Sequence, residues 1–492
     1  MMYYKLIKND YQKSKAVTLT TVFFVAAAAM LVSLAMILVI NLTGAIDSLM
    51  IKAKTPHFLQ MHSGELDMER LHIFAEESEF VEEFQVMEFL NIEGSQIFLG
   101  DSSLAHSLQD NGISRQSEKF DYLLDLNDKI IIPDDGELYV PVSFMRDGSA
   151  QVGDRALISG KEFTVAGFLR DSQMNSSLAS SKRFLVREID FQELRSSGSI
   201  EFLIEFRLHD LSTLRAFESA YNAAGLEANG PTITYPLFKL INSMSDGLMI
   251  ALILLVSILV VLIAFVCIRF TLLAKIEEDY REIGVMKAIG LRLSDIKRIY
   301  LAKYAAIALI GSAIGYALSF LFKDLLLTNI RLFMGESDNT SLAPLLGALG
   351  VGIIALAIII YVNRVLKQFR KISSAEAIRF GIAREKGITS KRFLLSKNRL
   401  FNPNIFLGIK DVLARKGLYV TILAVLVLSA FIMIVPQNLY NTISSKNFIT
   451  YMGIGRCDLR IDIQQTDNVA EKTAEVAKKI EKDGDIARCL SI

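Results

Sequence analysis

The densest run of ionisable side chains in this sequence is Lys275-Ile-Glu-Glu-Asp-Tyr-Arg-Glu-Ile-Gly-Val-Met-Lys-Ala-Ile-Gly290. Its spacing predicts a helix. Ile276, Tyr280, Ile283, Met286 and Lys287 fall near one stripe, while Glu277, Glu278, Asp279, Arg281 and Glu282 make a charged face. Gly284 and Gly290 mark breaks or close approaches. Such a segment offers no nucleophile beside a base. What it can do is dock, as a charged knob that a soluble partner could grip. The plain alternative is a solvated helix end.

Other chemistries lack their residues. No Gly-x-x-x-x-Gly-Lys-Ser/Thr loop is present to cradle phosphates, so this chain alone is not expected to hydrolyse ATP. Neither Gly-x-Ser-x-Gly nor His-Glu-x-x-His occurs. His57, His62, His72, His106 and His209 are scattered singly, and no Cys or His spacing suits a metal. No metal, bound cofactor or catalytic residue is expected. Cys267 falls in an apolar run, whereas Cys457 and Cys489 could pair with one another.

The elements that must hold the charged segment are apolar. The chain has 492 residues, 53 Lys+Arg against 53 Asp+Glu, and is 52% hydrophobic. The arrangement is more telling than these totals. Residues 16–46, 247–268, 304–322, 339–363 and 417–445 carry no charge. A membrane helix needs about 20 apolar residues, and a mid-bilayer charge costs roughly 2.5–3.5 kcal/mol. Five spans are therefore expected. Basic residues gather at Lys5, Lys8, Lys13 and Lys15, along 269–303, and along 364–416. Lys and Arg beside spans mark the cytoplasmic face, and five alternating spans with the N-terminus inside put all three clusters there. The first apolar run is too long for a signal-peptide core and reads as a retained anchor. Polar side chains in the runs are few, with Asn41 and Asn363 near the ends and no mid-span acid. That argues against an ion or proton pathway through the spans.

The expected order is an amphipathic inner-face helix (1–15), span one (16–46), an outside α/β domain (47–245) and span two (246–268). The charged segment (269–302), span three (303–322), a short outside loop (323–341) and span four (342–363) follow. A basic linker (364–416), span five (417–436) and an outside segment (437–492) complete it. Gly311-x-x-x-Gly315 in span three would let helices pack closely. In the outside domain a helix is expected over Asp67–Ser78, with strands at 86–92, 96–99 and 200–208. Ser159-Gly160-Lys161 signals a hairpin between 156–158 and 163–165, and a helix starts near Asp210 and stops at Gly225. Residues 109–119 and 172–182 read as loops. On 200–208, Phe202, Ile204, Phe206 and Leu208 share one face; Glu201, Glu205 and Arg207 lie on the other. An internal repeat links Ile7-Lys8 with Asp10–Lys15 before span one to Ile409-Lys410 with Asp411–Lys416 before span five. It implies a second outside domain beginning near 437, with the helix 470–482 in it, and hence a longer parent protein.

Arg281-Glu-Ile-Gly-Val-Met-Lys-Ala-Ile-Gly290 resembles the Arg-Glu-Ile-Gly…Lys-Ala-Ile-Gly stretch of FtsX/MacB-like ABC transporter permeases. Val152-Gly-Asp154 with Phe163-Thr-Val-Ala-Gly167, and Ser374-Ala-Glu-Ala-Ile-Arg379, are similar to further motifs of that family. The resemblance covers about 1–380 well and 400–445 as the start of a second copy, like a shortened eight-span permease. It implies a helical membrane protein with a MacB-like extracytoplasmic α+β core domain, multi-pass in a bacterial inner membrane. It implies export or extraction of an amphiphilic cargo, driven by a separate ABC ATPase dimer that carries the ATP. Glu278, Arg281, Glu282, Gly284, Lys287 and Gly290 would be the coupling contact. A second permease copy and an extracytoplasmic partner or cargo are further implied partners, the lipid bilayer is the solvent, and no nucleic acid is expected. The rival expectation is an ATP-driven regulator that activates an extracellular cell-wall hydrolase without moving cargo.

Overall fold

The computed structural model describes residues 15–105, 107, 109–176, 179–338, 341–371, 373–380, 402–414, 416–445, 461, 469–480 and 482. The amphipathic helix expected before Lys15, His106, the linker stretch 381–401, Cys457 and Cys489 lie outside them. The described residues fall into two compact units. One draws on 1–40, 249–326 and 341–456, the other on 41–248, 327–340 and 457–492.

Helix α1 (Lys15–Lys52) comes first among the described residues. The second unit is built on an eleven-stranded mixed sheet. Its strands are β1 (Phe58–His62), β2 (Val81–Ile92), β3 (Ile97–Leu99), β4 (Ser102–Ser103), β5 (Asp110–Ser114), β6 (Glu137–Pro141), β7 (Arg155–Ile158), β8 (Lys161–Leu169), β9 (Ser181–Leu185), β10 (Ser199–Leu208) and β11 (Thr232–Thr234). The order is β11-β1-β10-β2-β5-β9-β6-β8-β7-β3-β4. The β5/β9 and β6/β8 pairs are parallel.

Two apolar cores fill this unit. Helices α2 (Met68–Glu77) and α5 (Leu214–Ala223) supply one, where Leu71, Leu214, Phe217 and Tyr221 pack with Phe58, Phe84 and Phe206. The other gathers residues of β5 to β9 with Phe144 of α3 (Val142–Arg146) and Phe191 of α4 (Glu188–Leu194). Local sequence explains the edges. Asp67 caps α2 by accepting the Arg70 N–H at 3.0 Å. Ser159 (φ 49°) and Gly160 (φ 84°) turn the β7–β8 hairpin, since positive φ at both central residues matches the strand twist.

Two expected loops are partly strands. β5 lies within 109–119 and β9 begins inside 172–182. Asp110-Asn-Gly-Ile-Ser has no strand-like pattern because its neighbours, not its composition, make it a strand. Gly112 is required there: a Cβ would lie 2.0 Å from the Phe89 ring.

The remaining helices are α6 (Tyr235–Glu278), α7 (Tyr280–Ala288), α8 (Leu293–Met334), α9 (Leu342–Val365), α10 (Ser374–Phe380), α11 (Pro403–Ala414), α12 (Lys416–Ile443) and α13 (Val469–Ile480). Among the described residues, five helices are long and apolar enough to cross a membrane: Lys15–Lys52, Tyr235–Glu278, Leu293–Met334, Leu342–Arg370 and Tyr419–Ile443. The protein is thus a helical membrane chain with an α+β sheet domain. Three helices outrun their charge-free stretches. The 44 residues of α6 make a rod of about 65 Å, roughly twice the hydrocarbon thickness. Charge-free length marks what lipid tolerates, while helix length is set by capping and packing, so the two need not agree.

Candidate functional site

The charged segment folds as an elbow rather than one continuous helix. α6 ends at Glu278, Asp279 turns the chain, and α7 begins at Tyr280. α7 is stopped by a Schellman motif. The Leu291 N–H donates to Met286 O at 3.1 Å, the Gly290 N–H donates to Lys287 O at 3.1 Å, and Gly290 takes φ 92°. Gly290 is therefore a helix stop, a role only glycine fills without strain.

The elbow is held from behind. Gly284 lies against α10 so closely that a Cβ on it would sit 2.5 Å from the Ala377 Cβ. Lys287 Nζ donates to the Phe369 carbonyl at 2.6 Å, which lies in the 3₁₀ stretch Leu366–Lys371 after α9. Burial lowers the Lys287 pKa below the ordinary lysine range. Tyr300 stacks edge-on against Phe369 and its hydroxyl donates to Asp279 Oδ2 at 2.7 Å. Lys275 pairs with Glu278 at 3.0 Å and with Asp279 at 3.1 Å. Ile276, Ile283, Ile296, Tyr300, Leu366, Phe369 and Ala377 share one buried cluster beneath.

The six residues singled out by motif thus divide by geometry. Glu278, Arg281 and Glu282 are exposed. Gly284, Lys287 and Gly290 shape and hold the elbow. Sequence reasoning missed the apolar part of the exposed face, where Val285 is 44% and Ile289 72% exposed. The signal was present, since both lie off the buried stripe. Among the described residues, no group of three or more His, Cys, Asp or Glu could hold a metal.

The helices behind the elbow pack on small residues. A Cβ on Gly311 would lie 2.8 Å from Val25 Cγ1, and one on Gly315 would lie 2.3 Å from the Ala26 carbonyl oxygen. Ser319, one further turn along α8, hydrogen-bonds Ser33 at 2.9 Å. From α9, Gly347 would bring a Cβ within 2.9 Å of Ser33 Oγ. So α1 beds against small-residue tracks on both α8 and α9, as lipid-embedded helices do where no hydrophobic force drives them together.

Residues 254–368, which contain the elbow, α8 and α9, match the FtsX-like permease C-terminal domain family. The chain carries an FtsX-like permease domain. With five described helices long and apolar enough to cross a bilayer, it is a multi-pass membrane chain. Among solved structures, this chain is similar to the periplasmic region of MacB from Actinobacillus actinomycetemcomitans. Identity there is 11%, the TM-score is 0.24, and the match covers 39% of this chain and 94% of that one. No curated protein matches.

The sheet unit holds a second constellation that the sequence did not reveal. Arg183, buried, lies between Asp121 at 2.5 Å and Asp171 at 2.6 Å, both buried. The two carboxylates push the Arg183 pKa above its ordinary range, and Arg183 holds Asp171 below the ordinary carboxylate range against the desolvation that opposes it. Beside them is Glu205, on the β10 face opposite Phe202, Ile204, Phe206 and Leu208. It is fully buried, with Gln173 of loop 170–176 lying against it. Gln85 donates to it at 2.7 Å and Gln173 at 2.6 Å. Burial and the nearby Asp121 charge push its pKa well above the carboxylate range. Lys182, also buried, donates to the carbonyls of Met174, Asn175 and Ser176 at 2.8, 3.3 and 2.6 Å, and burial brings its pKa down to about 8.

Proposed function

We propose that this permease is the membrane subunit of an ABC-type complex. Its elbow receives a separate ATP-hydrolysing subunit on the cytoplasmic face. The observation that carries the reading is the elbow itself. It is braced from behind by Gly284–Ala377, Lys287–Phe369 and Tyr300–Asp279, and it leaves Glu278, Arg281, Glu282, Val285 and Ile289 outward. A braced knob with a mixed charged and apolar face passes on a push instead of absorbing it. Partner interfaces combine apolar centres with polar rims in the same way. Lys287 and the two glycines act by keeping the elbow's shape, and Arg281, Glu282 and Ile289 make the contact.

The basic clusters support a cytoplasmic N-terminus in a bacterial inner membrane, with the sheet domain outside. The cargo is an amphiphile exported or extracted through movement of that domain. A second permease copy has a surface to meet. Over the first turns of α6, Leu237, Leu240, Met244 and Leu248 form an exposed apolar stripe at helical spacing. Sidedness is tested by placing single cysteines at Glu282 and at Asn222 in a chain stripped of Cys267, Cys457 and Cys489. An impermeant thiol reagent on intact cells should label only the Asn222 site. Labelling of the Glu282 site without permeabilisation would overturn the topology and the docking role together.

A further inference from the structure

Loop 170–176 is polar and buried, an unusual pairing because a buried loop must find partners for its backbone. Arg170, Asp171, Ser172, Gln173, Asn175 and Ser176 are each no more than 5% exposed. Their bonds run to three helix ends. Arg170 Nη2 donates to Arg331 O at 2.8 Å and Nε to Leu332 O at 3.0 Å. Asn175 donates to Phe333 O. These carbonyls lie in the last turn of α8, where intrahelical donors run out; Arg331 O also accepts from the Gly335 N–H at 3.0 Å. From α6, Asn242 Nδ2 donates to Ser172 O at 2.7 Å. At the end of α1, Asp128 accepts from Lys52 at 2.8 Å and from Arg170 at 2.6 Å. The N–H groups of Asp121 and Tyr122 donate to Lys54 O and Ala53 O at 3.1 and 2.7 Å. Asp121 and Asp171 then grip Arg183 of β9, inside the sheet.

We propose that this network is a weld. It makes the last turns of α1 and α8, the first turns of α6 and the central strand β9 one rigid body, with Arg170 as its positioning residue. Every link is either charge-assisted or satisfies a backbone carbonyl. Opening it would leave a buried charge or helix end unpartnered, so the joint stays closed while the body moves. The proposal deepens the transport reading by naming where helix movement enters the sheet domain. Gly335 fits the same joint: it takes φ 83°, and a Cβ on it would lie 2.8 Å from Asp128 Oδ1.

The test uses the full chain in lipid nanodiscs, with spin labels at Asn222 on α5 and Asn329 near the end of α8, both exposed. The label-to-label distance distribution is measured by pulsed electron resonance. The wild-type distribution is expected to be narrow. R170A and N175A should each widen it by about twofold, as expected of a locally released element. R170K should recover part of the order. R155A, which removes an exposed ion pair with Glu162, should leave the distribution unchanged. Should R170A fail to fold, N175A and N242A carry the test. Distributions as narrow as wild type in R170A and N175A would overturn the weld, as would a broad wild-type distribution. No ATPase is present in this measurement, so failure of the docking reading leaves its outcome untouched. Conversely, loss of the weld leaves ATPase binding at the elbow to be judged separately.

Discussion

The elbow and the outer joint solve the same mechanical problem with opposite chemistry. The elbow is braced by an apolar cluster, one glycine–alanine approach and a few hydrogen bonds, and it keeps Glu278, Arg281 and Glu282 in water. The joint buries its charges and spends them on each other and on helix-end carbonyls. A surface that must take up and release a partner is best left with solvated charge, which costs little to uncover. A joint that must never open is best made of groups that are costly to separate. This difference orders the consequences of mutation.

The largest effect should come from the joint. Arg183→Met leaves Asp121 and Asp171 buried without their partner, a loss of about 3–5 kcal/mol. Thermal unfolding of the purified chain should show the sheet domain melting early; an unchanged transition would mean that these charges are not sealed from water. Next comes the elbow's brace. Gly284→Val pushes side-chain carbon into Ala377 and should cost about 1–3 kcal/mol. Pairing it with Ala377→Gly should return much of that loss. Failure of the double variant to recover would show that the close approach is not what the glycine serves.

A smaller effect of opposite sign is expected at Glu205. Its folded-state pKa is raised, so the unfolded chain ionises this group first. The resulting destabilisation begins above the unfolded carboxylate value of about 4.3 and grows as pH rises toward the folded pKa. Glu205→Gln removes it. The variant should be more stable than wild type at neutral pH, on the order of 1 kcal/mol, with the gain vanishing near pH 4. Gln173 Oε1, buried without a partner, becomes an acceptor for the new amide. A gain independent of pH would refute the titration. Asp171 has the reverse sign: its lowered pKa contributes stability above the carboxylate range that is lost as pH falls through it.

The smallest effect on stability belongs to the exposed face. Arg281→Glu with Glu282→Arg should shift unfolding by less than about 0.5 kcal/mol, yet abolish partner binding. A large stability loss would move these residues from the contacting class to the bracing class.

Much of the elbow was legible. The stripe of Ile276, Ile283 and Met286 follows helical spacing, and the charges fall opposite it. Gly284 and Gly290 could be flagged but not told apart. One serves a close approach and the other a positive φ, and only the packing partner Ala377 and the backbone at 290 distinguish them. Lys287 turned inward because its acceptor, the Phe369 carbonyl, lies 82 residues away. The apolar runs marked where helices meet lipid but not how far α1, α6 and α8 continue beyond it. The joint was invisible. Arg170, Asp171, Asn175 and Arg183 have the composition of a surface loop, and only long-range partners at 121, 242 and 331–333 make them interior. The burial of Glu205 was hidden for the same reason, since alternation on β10 predicts its face correctly but not what covers it.

The most direct test of the account is ATP hydrolysis carried by the purified complex. The tagged wild-type chain, isolated from its native membrane, should bring with it an ATP-hydrolysing subunit. The Arg281→Glu/Glu282→Arg chain, folded to the same melting curve, should bring none. Transport by the wild-type chain with no such subunit present, or full retention of ATP hydrolysis by the reversed-charge chain, would contradict it.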